Sequence, residues 1–131
     1  SQGELIKRIQ KKYKPLKITA RDEEMYKEIY SGVIKGGGKL NFPDHFPAFR
    51  GISIDDEERI FVKTYERVKD KEDFFYFDIF DSEGKYIAKV PIKANLDRNS
   101  VRKRNKLYTI ENDEKGFQIV NRYKLIWNIN K

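Results

Sequence analysis

The sequence predicts a mainly β chain of short antiparallel strands with one inserted α-helix. Three observations lead there. From Ile52 onward, turn-forming clusters recur about every 8–12 residues between short apolar runs, the spacing of all-β chains. Three of those turns read alike: Ile54-Asp55-Asp56-Glu57-Glu58-Arg59-Ile60, Phe80-Asp81-Ser82-Glu83-Gly84-Lys85-Tyr86 and Ile110-Glu111-Asn112-Asp113-Glu114-Lys115-Gly116-Phe117. Each sets an acidic turn between apolar residues and leaves through a basic residue or glycine. Only one stretch, about Ala20 to Ile34, carries clear helical periodicity.

In chain order, Glu4 to Gln10 reads as a leading strand, because Pro15 discourages a helix through that point; a helix is the alternative. Thr19 then offers an N-cap with acids in the following turn, and Tyr26, Ile29, Tyr30 and Val33 form a stripe expected to face a core. Gly36-Gly37-Gly38 ends the helix. Asn41 to Gly51 holds Pro43 and Pro47 among three phenylalanines, so it reads as an extended connector with its rings packed down. The expected strands follow: Ala48 to Ile54, Ile60 to Glu66, Phe74 to Phe80 and Lys85 to Ile92, with Arg67 to Asp73 as a charged loop. A short strand at Ser100 to Lys103, then Lys106 to Glu111 and Phe117 to Ile126, complete the count, and Trp127 is expected to pack on the last hairpin.

Composition narrows the function classes. The 131 residues suit one domain, and 37% of them are charged, with 28 Lys+Arg against 21 Asp+Glu. Nine Phe and eight Tyr supply the apolar bulk that a disordered chain lacks. With no cysteine, disulfides, thiolate metal sites and cysteine nucleophiles are excluded together. No apolar run approaches the roughly 18 residues of a membrane-spanning helix, and no short stretch has signal-peptide character.

Two segments resemble a known architecture. Pro47 to Val62 is similar to the inner strands, and Phe77 to Ile87 to the outer hairpin, of a blade in six-bladed, NHL- or TolB-like bacterial β-propellers. Asn105 to Ile110 with Val120 to Leu125 resembles a terminal blade. The resemblance implies antiparallel four-stranded propeller-type blades, about two blade-equivalents. The domain would be a single partial propeller: a leading strand plus helix insertion in residues 1–40, a complete blade in 41–93 and a terminal three-stranded blade in 94–131. A closed ring takes about four to eight blades, so the remaining blades would come from a longer parent chain or from copies of this one, three copies completing the ring. The start at Ser1 rather than Met fits the expectation of a C-terminal piece. Such proteins are often exported, some as lipoproteins, so the resemblance implies a periplasmic or cell-surface location. It also implies a non-catalytic scaffold or binding segment for an unknown protein or small ligand. A part of a propeller hydrolase or lyase is a further alternative.

No residue stands out as catalytic, and no cofactor or metal site is expected. His45 is the only histidine and matches no nucleophile motif. The acidic turns lack the alternating carboxylate order of a calcium loop, and Gly36-Gly37-Gly38-Lys39 follows a helix where a phosphate loop precedes one. The strongest alternative function is a basic nucleic-acid-binding domain. Arg98, Arg102, Lys103, Arg104 and Lys106 form a run without an intervening acid beside Tyr108, the arrangement that contacts phosphates and stacks bases. Lys7, Arg8, Lys11, Lys12 and Tyr13 form a second cluster. The ordinary reading is favoured over it: lysines on connectors and edge strands keep a β chain soluble and block edge pairing.

Overall fold

Three aspartates set the hairpins. Asp55 Oδ1 accepts from the N–H groups of Glu57 and Arg59, at 3.0 and 2.9 Å. Asp81 Oδ1 does the same for Glu83 and Lys85, and Asp113 Oδ1 for Lys115 and Phe117. In each loop the fourth residue takes positive φ: Glu58 at 60°, Gly84 at 80° and Gly116 at 84°. The repeat seen in the sequence is therefore one turn made three times, with a glutamate in a glycine position at its first occurrence.

The computed structural model describes residues 3–94 and 99–127. Its contacts divide the chain into two units: Lys12–Ala48, and Phe49 onward together with the N-terminal residues up to Lys11. The larger unit is mainly β. Strands β1 (Gly51–Ile54), β2 (Ile60–Val68), β3 (Lys71–Phe80) and β4 (Tyr86–Lys93) form one antiparallel sheet in sequential order. Strands β5 (Ser100–Lys103), β6 (Lys106–Asn112) and β7 (Gln118–Lys124) form a second, also sequential. Both sheets are open meanders. Pro91 is tolerated because β4 is an edge strand, where no ladder donor is needed on its outer side.

Register explains the core. Antiparallel partners share a face, as do alternate residues along a strand. The pairs Ser53–Phe61, Phe61–Ile79, Ile79–Ala88 and Phe77–Val90 therefore line one face of the first sheet. Phe61, Phe77 and Ile79 are fully buried there, with Ala88, Val90, Ile92 and Trp127 packed against them. Burying each large side chain stabilises the fold by about 2 kcal/mol. On the opposite face Phe80 and Asp78 are buried, and Lys11 pairs with Asp78 Oδ1 at 2.6 Å while lying 4.4 Å from the Tyr86 ring centre. Covered on both sides, β3 ends in four consecutive buried residues.

Three expectations change in this unit. Residues 4–10 form no strand. Leu5, Ile6 and Ile9 alternate on no single face, and Ile6 is 93% exposed. The segment is held by lysine contacts, including Lys7 Nζ donating to the Glu83 carbonyl at 2.7 Å. The charged loop is mostly strand: Arg67 pairs with Phe75 and Val68 with Lys71 around the turn Lys69-Asp70, Asp70 taking φ 59°. Trp127 packs edge-on against Phe61 of the first sheet at 6.0 Å, with the Arg59 guanidinium 4.4 Å from its ring centre.

In the smaller unit, helix α1 (Ala20–Ile29) opens with a reciprocal cap between Thr19 and Asp22. The expected single helix is broken at Tyr30, whose φ −99° and ψ 23° end α1 before the short α2 (Ser31–Lys35) begins. The Ser31-Gly32 pair favours that interruption, both being weaker helix formers than alanine. Tyr26 meets Phe42 and Phe46 at 6.4 and 6.5 Å, as the packed connector requires. The rest of the stripe is not core: Ile29, Tyr30 and Val33 are exposed, and so is Phe49 at the end of the connector.

Candidate functional site

The turn between β5 and β6 is two residues long, Arg104 and Asn105, with φ 51° and 55°. Positive φ at both positions gives the turn whose twist matches the flanking strands, and it places Lys103 directly opposite Lys106. Arginine is a poor residue for this backbone region, and its neighbours compensate. The Arg104 N–H donates to both Asp56 carboxylate oxygens at 3.0 Å. Asn105 Oδ1 accepts from Arg59 at 2.8 Å and from the Trp127 indole at 3.1 Å.

From this turn the register extends across the sheet. Lys106 is opposite Lys124, and Tyr108 is opposite both Val101 and Arg122. One face thus carries the row Lys103–Lys106–Lys124, then Val101–Tyr108–Arg122, then Ile110–Val120, ending at Asn112 and Gln118. Val101 and Val120 are 61% and 72% exposed, so this face is turned to solvent. Among the described strand residues, four cations share it with a phenol ring and no carboxylate. Like charges directly opposite in a ladder repel, and an anion laid along the row relieves them. Arg104, Asn105, Lys106, Arg122 and Lys124 line an open cleft of about 350 Å³ at this end.

The only carboxylate within the three strands, Glu111, projects to the other face. Its Oε1 accepts from the Thr109 hydroxyl at 2.6 Å, the Asn121 amide at 2.9 Å and the Tyr123 hydroxyl at 3.0 Å. These bonds, the Thr109 one foremost, hold the Glu111 carboxyl below its ordinary pKa, and the bond to Glu111 raises that of the Tyr123 phenol. The same face carries Arg102. Its guanidinium lies 4.4 Å from the Phe61 ring centre and donates to Ser53 Oγ at 3.0 Å.

The structure thus sorts the basic run. Lys103, Arg104 and Lys106 come together at the cleft end of the outward face. Arg102 does not join them, because alternation turns it inward onto the first sheet. Arg98 lies outside the described residues. In the N-terminal cluster, Lys7 and Lys11 are engaged with Glu83 and Asp78. Arg122 and Lys124 escaped the sequence reading because they lie far from the run in the chain. Counting the register outward from the Asp113 turn would have found them. His45 belongs to the Lys12–Ala48 unit, where its backbone bridges Lys17. The carboxylates of Asp55, Asp81 and Asp113 are committed to the turns they close.

No known protein family, no curated protein and no solved structure matches this chain.

Proposed function

We propose that the chain is a non-catalytic binding module that takes a polyanionic ligand on the outward face of β5–β7. The observation that carries this reading is the row of Lys103, Lys106 and Lys124 across three adjacent strands, joined by Arg122, with no carboxylate among the described strand residues of that face. Solubility alone accounts for scattered lysines. It does not account for aligning them against their mutual repulsion while the strands' one carboxylate is turned to the other side. The test is binding of a polyanion as a function of salt. With about four phosphates neutralised, affinity is expected to fall about 50-fold between about 50 and about 200 mM salt. Lys106→Glu should abolish the interaction, and binding that ignores salt would remove this reading.

A second reading, the scaffold role of a propeller-type blade, has its own support. Ile52 and Ile54 on the edge strand β1 are 59% and 64% exposed, on the face opposite the Phe61 core. In a blade assembly that strip would lie under a neighbour. A solution mass of three chains favours that role for copies of this chain; a mass of one chain counts against the trimer.

A further inference from the structure

Building on the polyanion reading, we infer that the ligand of the β5–β7 face is a single-stranded nucleic acid, with a base stacked on Tyr108. The lysine row runs across the strands, with its members about 5 Å apart, and the row containing Tyr108 lies about 7 Å further along the strands. Phosphates and a ring-stacking group therefore have separate places on one surface, next to each other. Tyr108 is half-buried on the central strand, flanked by Val101 and Arg122, so its ring forms a platform between an aliphatic side chain and a cation. Ile110 and Val120 extend this apolar strip, which gives a second base an uncharged surface to lie on.

The same geometry disfavours other polyanions. A duplex hides its base faces in the stack, so it leaves the Tyr108 ring without a base face to stack on. Sulfated polysaccharide engages the cations but has no flat π-face for the phenol. An unstacked single strand uses both features, and each base it contributes has a face to offer whatever its identity. The expected recognition is therefore tolerant of sequence and selective for strandedness.

Fluorescence anisotropy with labelled oligothymidylate, the matching duplex and heparin at equal salt tests this on the whole chain. Oligothymidylate is expected to bind at least tenfold tighter than the duplex. Tyr108→Leu should weaken it about tenfold, the usual scale for losing one stacked base, while Tyr108→Phe preserves it. Lys85→Ala, which removes a cation from a turn of the other sheet, should change nothing. If Tyr108→Leu fails to fold, the Tyr108 ring protons of the unmodified chain decide, since a stacked base shifts them on titration. Equal binding of duplex, heparin and oligothymidylate, with Tyr108 insensitive, would overturn the single-strand inference and leave the polyanion reading standing. Absence of salt-dependent binding to all three would overturn both.

Discussion

Asp55, Asp81 and Asp113 each close a hairpin by the same pair of backbone bonds, yet they differ in what else depends on them. Asp55 is 7% exposed and also holds Arg59, through Nε at 2.7 Å and Nη2 at 2.7 Å. Asp55→Ala removes the turn acceptor and leaves a nearly buried guanidinium without its main counter-charge, so a loss of about 3 kcal/mol is expected in urea unfolding. Glu58→Gly relaxes the positive φ at the corresponding loop position and should raise stability by about 1 kcal/mol in the same assay. The converse change, Gly84→Ala, should destabilise. A Cβ there would stand 2.9 Å from the Ile9 side chain at a φ that glycine favours. These residue roles were legible in the sequence because an Asx turn is local chemistry. Arg59 was not, since its partners Asn105 and Trp127 are distant in the chain.

Among the elements, all seven strands fall close to where the turn spacing put them, because the same short-range punctuation that signals a hairpin builds it. The errors are where no such punctuation operates. Residues 4–10 are placed by Lys7 and Lys11 reaching to Glu83 and Asp78, which a local pattern does not encode. The face of β5–β7 was half legible: the basic run was plain, but its division into inward Arg102 and outward Lys103 and Lys106 needed the register. Glu111 gives this sheet a pH dependence. Its carboxyl pKa is lowered in the fold, so the stabilisation is present above the ordinary carboxylate range and is lost as pH falls through the lowered value. Glu111→Gln should therefore flatten the acid limb of stability measured between about pH 7 and about pH 3. Tyr123 works in the other direction, contributing below about pH 10 and losing its contribution as pH rises through its raised value.

Across the larger unit, cations and aromatic rings alternate where the sheets meet: Arg59 over Trp127, Trp127 against Phe61, Arg102 over Phe61 and at 5.9 Å from Phe77. Planar guanidinium groups suit such stacking better than ammonium groups do. Arg102→Lys is thus expected to lose about 1 kcal/mol despite keeping its charge, read from the thermal midpoint. The exposed aliphatic residues show that further surface is available for cover. Ile52 and Ile54 lie on the first sheet, and Val101 and Val120 on the second. The sequence indicated strands enough for two blades, and the structure delivers sheets of four and three strands.

Asn105 belongs to two structures at once. Its backbone and that of Arg104 make the turn at the cleft, while its side-chain oxygen holds Arg59 and Trp127 on the other sheet. Under the proposed binding mode, this one residue would couple occupancy of the cleft to the Arg59–Trp127 contact, and any such coupling is reciprocal. A ligand on the outward face should raise the thermal midpoint in proportion to the logarithm of its concentration. Trp127→Phe, which removes the indole donor to Asn105 and leaves the Arg59 bond, should weaken that ligand modestly in the same anisotropy titration if the coupling operates.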